Sequence, residues 1–191
     1  MDLELILMEK GDYGYAKSML IKQGLKFGLC LLLVVGFYIA GWIIFGTRVN
    51  ILSIGTVCSV IPGVIFAVNI IMRLGGLPVK KEVYARFEEA SKGHVTACDM
   101  IVTAEEVNYP LQLGIITSHE IICYTSSKKM DIKKAERALS GLSKSVGIHN
   151  KVTVCSDLEY FLRRVKNAKR PDETERQAIM EKKKEFLMYS M

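Results

Sequence analysis

The chain has no Cys-x-x-Cys pair. Its three histidines, His94, His119 and His149, stand too far apart to give the ligand spacing of a zinc site. It also lacks G-x-S-x-G, a phosphate-binding P-loop and G-x-G-x-x-G, so hydrolases built on a nucleophile elbow, P-loop NTPases and dinucleotide enzymes lose their usual signatures. The scarcity with the largest consequence is local. Phe27 to Thr47 is a run of 21 residues without a charge, and Val49 to Met72 is a run of 24 more. A helix crossing the hydrocarbon core needs about 20 apolar residues. Each run is long enough, and two side by side are rare in soluble cores. A cleaved signal peptide fits poorly, because the first run exceeds the usual h-region and a second follows at once.

Neither run holds an Asp, Glu, Lys, Arg or His between its ends. Intramembrane ionisable groups mark ion and proton pathways, so the pair reads as an anchor rather than a pump or carrier. Lys17, Lys22 and Lys26 precede the first span, and Arg73, Lys80 and Lys81 follow the second, while only Arg48 lies between them. The positive-inside rule then places both termini on the cytoplasmic side of a two-pass protein in the cell membrane. Trp42 and Phe45 suit an aromatic anchor at the outer end of the first span. In the second span Gly55, Ser59, Gly63 and Ala67 recur every fourth residue, a packing stripe that lets another helix approach closely. The adjacent span is the expected partner and a dimer seam the alternative. Pro62 is expected to kink the second span.

The net charge of +6 is uneven. Residues 1–26 are neutral, residues 75–170 carry +5 and residues 171–191 carry −1. Charge alone carries no sequence readout, so this balance is assigned to an anionic lipid surface rather than to nucleic acid. The five cysteines, Cys30, Cys58, Cys98, Cys123 and Cys155, are isolated in predicted spans and strands, which suits small buried hydrophobes in a reducing compartment.

Four regions follow: a cytosolic amphipathic segment over 1–26, a hairpin over 27–74 with spans at 27–47 and 49–72, a cytosolic α/β domain over 78–170, and a helical tail over 171–191. Within the domain, Pro78 opens a helix to residue 92 with Val79, Val83, Phe87 and Ala90 on one face. Cys98 to Ala104 reads as a strand, and "NYPLQ" as a turn. "LQLGIITSHEIICYTSSKK" then supplies two strands with both faces apolar, as central strands require. Ser118, His119 and Glu120 form a solvated connection between them. Asp131 caps a helix carrying Ile132, Ala135, Leu139, Leu142 and Val146, and "KVTVC" is a short strand. Ser156 and Glu159 form a capping box for a helix that buries Leu158, Phe161, Leu162 and Val165. Its outer face shows Arg163, Arg164, Lys166, Lys169 and Arg170, a candidate lipid or partner surface. The fold class is α/β: a two-helix transmembrane hairpin, then an α-β-β-β-α-β-α domain with a mixed sheet covered by helices.

The order α-β-β-β-α-β over residues 79–155 resembles the core of the restriction-endonuclease-like fold. That resemblance implies an acid on the second core strand, an acid-x-lysine on the third, and a Mg²⁺ held between them. The strand "LQLGIITS" has no acid, Ile122 stands where the lysine belongs after Glu120, and Lys128 and Lys129 fall beyond the strand. Asp99, on the first strand, has no evident partner. The implied version is non-catalytic. The whole-chain plan, with "IITSHEIICYTS" and "SDLEYFLRRV", is also similar to small two-span membrane proteins of Gram-positive bacteria. The expectation is a membrane-anchored binding, scaffold or regulatory domain, with no catalytic, metal or cofactor site. Its partners are the bilayer and a protein or second copy. The alternative is an atypical nuclease-like or nucleic-acid-binding domain on a tether.

Overall fold

The structure is a computed structural model, and it describes residues 9–47, 51–74, 76, 78–127, 130–145 and 147–190. The chain forms two units: Lys17–Leu74, and the remainder up to Ala16 and from Gly75 onward. Arg48, Val49, Lys128, Lys129 and Val146 lie outside the described residues.

The first unit is a pair of helices, α1 (Tyr15–Phe45) and α2 (Ile51–Leu74). Both are long and apolar enough to cross a membrane, and only 6% of the most apolar window of either is buried inside the protein. Neither helix is covered by the rest of the described chain. The helix containing the first apolar run begins at Tyr15, well before Phe27. At 1.5 Å per residue, its 31 residues reach about 46 Å, longer than the run alone needs. The sequence boundary at residue 26 therefore falls inside a continuous helix. The small stripe of α2 faces α1: a side chain at Gly55 would meet the Phe37 ring at 3.4 Å, and one at Gly63 would meet Cys30 at 3.6 Å. Ser59 donates its hydroxyl to the Gly55 carbonyl (2.8 Å), which satisfies it within its own helix. α2 runs through Pro62.

The second unit is built on a four-stranded sheet in the order β1 (Val95–Ala104), β2 (Val107–Ile116), β3 (Glu120–Tyr124), β4 (Lys151–Cys155). β1–β2 and β2–β3 are antiparallel, and β3–β4 is parallel. A parallel neighbour needs a crossover, and α4 (Ile132–Ser145) supplies it. Ala135, Ala138 and Leu139 of α4 share one face of the sheet with Ile179, Phe186 and Leu187 of α6 (Glu173–Met188). α3 (Lys81–Ala90) and α5 (Leu158–Asn167) cover the other face through Phe87, Phe161, Leu162 and Val165. Leu113, Ile115, Ile121 and Ile122 are at most 1% exposed. Each such side chain contributes about 1.5–3 kcal/mol by burial.

Several local expectations are corrected. β1 starts at Val95, and β2 takes in the stretch read as a turn. The turn is Glu105-Glu106, because Ala104 pairs directly with Val107. Both glutamates have positive φ, +50° and +62°, the signature of a two-residue primed hairpin. Glutamate is not a turn residue, which hid the hairpin, and Pro110 drew attention to the wrong place. Pro110 is tolerated in β2 because it lies beyond the last pair with β3, Leu113 with Tyr124, so its missing N–H breaks no ladder on that flank. α3 begins at Lys81 rather than Pro78, without a side-chain cap. Asp157, not Ser156, caps α5 by accepting the Tyr160 N–H at 2.8 Å. Asp131 caps α4 through the Lys134 N–H (3.2 Å), as expected. The C-terminal segment is helical, as expected, and Ile179, Phe186 and Leu187 of its helix α6 lie in the core.

The left-handed conformation costs an ordinary residue roughly 1–2 kcal/mol, and Asn-Gly meets the demand of this turn best. The double substitution Glu105→Asn, Glu106→Gly is therefore expected to raise unfolding stability by about 1–2 kcal/mol. Urea denaturation in detergent would read this, and no gain would mean that the turn is not strained.

Candidate functional site

Of the five basic residues expected on one helix, only Arg163, Arg164 and Lys166 lie on α5, because the helix ends at Asn167 and Lys169 and Arg170 follow it; the five do not form one free cationic face. Arg163, Lys166, Lys169 and Arg170 are exposed, and Arg164 is half-buried. Arg164 turns back to the sheet and bonds Glu120 at 2.7 Å, with each side chain about 30% exposed (30% and 29%). Arg170 lies over the α3–β1 turn, where Gly93 has a φ of +88° and a side chain would meet the Arg170 Cδ at 3.5 Å. Burial, and then the charge of Arg170, lower the pKa of His94. Arg163 and Lys166 line a cleft of 260 Å³ with Arg86, Glu89, Glu159 and Leu162. Arg163 and Arg164 line a second cleft of 360 Å³ with Glu120, Tyr160, Asn167 and Ala168. Carboxylates therefore interleave the cations on both sides of α5.

The first cleft holds two carboxylates, but Arg86 already bonds one of them, Glu159, at 2.6 Å. Among the described residues, no three of His, Cys, Asp and Glu converge where a metal ion would fit. Asp99 and Glu120, the acids a nuclease-like site would need, do not meet. Asp99 lies opposite Gln112, and Glu120 follows the Ile116–Ile121 pair on the far side of β2. Five residues of strand separate these levels, about 17 Å.

The connection is exposed at His119, as expected of a solvated turn, but Glu120 belongs to β3 rather than to the turn. Thr117 accepts the Glu120 N–H on its hydroxyl (3.0 Å), and Glu120 returns its carbonyl to the Thr117 N–H (2.9 Å) and hydroxyl (2.8 Å). The Asn150 amide donates to the Thr117 carbonyl (2.8 Å), and the Lys151 N–H to the His119 carbonyl (3.1 Å). The corner is thereby tied to the start of β4.

The residue whose role the sequence concealed is Asp99. It is 2% exposed and has a φ of +52°. The β1–β2 ladder pairs Cys98 with Leu113 and Met100 with Leu111 but omits Asp99 and Gln112. Both strands change face there. Val95 and Ala97 join the α4–α6 side and Cys98 the opposite side, yet Met100 and Val102 return to the first. On β2, Leu113 and Ile115 face α3–α5, whereas Leu111 and Tyr109 face α4–α6. Strict alternation forbids this without a break in phase. The Asp99 carboxylate accepts the N–H groups of Gly14 (2.6 Å) and Ala16, at the start of α1. Burial pushes its pKa up to about 6, against the two N–H groups that pull it down. Cys98 beside it is pushed up to about 12, chiefly by burial. The signal in the sequence was an acid inside an apolar strand. Its partner lies 85 residues away, and nothing local could identify it.

No family model, curated protein or solved structure matches the chain.

A half-exposed ion pair is worth at most about 1 kcal/mol. Glu120→Gln and Arg164→Ala are each expected to lower stability by no more than that, with a coupling of about 0.5–1 kcal/mol in a double-mutant cycle. Additive losses would show that the pair contributes nothing.

Proposed function

We propose that the protein is a two-pass membrane protein that displays a non-catalytic α/β domain to the cytosol as a binding, scaffold or regulatory module. The observation that carries this reading is the uncovered apolar surface of α1 and α2. Leu25, Leu32, Ile43, Ile51, Ile54 and Ile71 are each between 64% and 76% exposed. Water would penalise that surface heavily, and a bilayer removes the penalty. The lysines before the first run and the basic residues after the second support a cytosolic α/β domain. The inward packing of Gly55 and Gly63 supports a self-contained hairpin anchor.

Binding rather than catalysis is supported by the separation of Asp99 from Glu120 and by the pairing of Glu120 with Arg164. The exposed cations Arg163, Lys166, Lys169 and Arg170 support contact with anionic headgroups, with each well-placed charge worth about 1 kcal/mol. Glu89 and Glu159 between them limit that attraction.

The protein is expected to stay in the membrane pellet after alkaline carbonate extraction and to require detergent for release. Arg48→Cys is expected to react with an impermeant maleimide on intact cells, whereas Lys10→Cys reacts only after permeabilisation. Release by carbonate would sink the anchor, and labelling of both positions on intact cells would sink the topology.

A further inference from the structure

Residues 9–16 cross the α/β unit as a strap and run directly into α1. The Gly11 carbonyl accepts the outward Cys98 N–H of β1 at 2.7 Å. Gly11 has a φ of +91°, which favours glycine, and a side chain there would press on the end of the Leu187 side chain at 2.9 Å. The Lys10 ammonium donates to the Ser190 carbonyl at 2.8 Å. Tyr13 stacks on Tyr84 of α3 at 3.9 Å between centroids. Its hydroxyl donates to the Val79 carbonyl at 2.8 Å. Val79 lies between α2 and α3, so this bond holds the chain entering the apolar pair beside the chain leaving it. At the centre, Gly14 and Ala16 give their N–H groups to Asp99.

We infer that the strap is a clasp latched by the Asp99 carboxyl, and that the proton on that carboxyl sets how tightly the clasp holds. The geometry carries this. One carboxylate oxygen receives the strap, while the other, Oδ1, is buried and has no hydrogen-bond partner among the described residues. A buried negative charge with one bare oxygen is costly, and a proton removes the charge while leaving an acceptor for the strap. The titratable and charged groups around the socket are Asp12 and Tyr13 on the strap, Cys98 on β1, Tyr84 and Glu88 on α3, and Lys183 on α6. Burial raises the pKa of Cys98, Tyr13 and Tyr84, so none of these three titrates in the acid range.

The sign follows from linkage. Asp99 has a pKa of about 6 when buried under the strap and returns towards 3.8 when the strap lifts. The closed state binds the proton more tightly. Closure is therefore strongest below about pH 4, weakens as the pH rises to about 6, and is level above that. The two values imply a change in the closing equilibrium of about 100-fold. The clasp holds whatever surrounds the apolar helices, so it does not rest on the membrane reading.

The test is amide hydrogen exchange on the full chain in detergent micelles at pH 4.5 and pH 7.5, with exposure times scaled for intrinsic exchange. In the wild type, protection of residues 11–16 and of the Cys98 amide is expected to rise about 30-fold at the lower pH, since pH 4.5 lies between the two values. Asp99→Asn keeps an acceptor, suits a positive φ and carries no charge. It is expected to show high protection at both pH values and no pH dependence. Tyr13→Phe removes one strap bond but leaves the carboxyl. It is expected to lose protection at both pH values and retain the wild-type pH response. Wild-type protection that does not change with pH overturns the inference. So does a pH response of equal size in Asp99→Asn, which would assign it to Asp12 or Glu88.

Discussion

The outer edge of β1 is the constraint around which the α/β unit is organised. An edge strand carries N–H and C=O groups that no further strand satisfies, and proteins cover or blunt such edges. Here two segments distant in sequence do so, residues 9–16 and Tyr189–Ser190. The strap takes the Cys98 N–H, and at the other end the Tyr189 carbonyl takes the Thr103 N–H at 3.3 Å while Ser190 bridges Val102. Outward N–H groups five residues apart are impossible on a regular strand, where the two sides alternate. The phase break at Asp99 makes both possible. It also turns the far half of the β1–β2 hairpin so that Met100, Val102 and Leu111 pack beneath α6. The opposite edge is managed by a side chain: Glu136 of α4 accepts the Val154 N–H of β4 at 2.9 Å.

A chain of aromatic rings joins this edge to the rest of the core. Tyr13 stacks on Tyr84, Tyr84 lies 6.4 Å from Phe87, Phe87 lies 5.7 Å from Phe161, and Tyr124 lies 5.6 Å from Phe161. Each such pair adds about 0.5–1.5 kcal/mol beyond burial. The strap is thus continuous with the packing of α3, α5 and β3. Any force or proton that disturbs Asp99 acts on an element built into the core. The apolar pair has a different logic. Its inward contacts are glycine against Phe37 and Cys30, and its outward surface is hydrocarbon that only an apolar surrounding would satisfy.

Much of the architecture was legible because it follows from periodicity. The two uncharged runs, the helix stripe through Ala135 and Leu139, the two-faced strands around Ile115 and Ile122, and the order of elements needed only local pattern. The errors arose where a residue acted against its type. Glu105 and Glu106 occupy a turn that favours Asn-Gly, and Pro110 sits in a strand because its neighbour ends early. The basic face of α5 was read from helical spacing alone. Spacing could not reveal that Glu120, 44 residues away, would draw Arg164 inward.

The sequence by itself determined the division into an apolar helix pair and an α/β unit, because length and missing charge are sufficient for the first and hydrophobic period for the second. Only the tertiary structure decided that residues 9–16 belong to the α/β unit, that α6 is part of its core, and that Asp99 has a partner. The physical reason is that a buried carboxyl and an open strand edge are satisfied by whatever backbone arrives beside them. Backbone N–H and C=O groups are the same in every residue, so the sequence carries no mark of which ones will come.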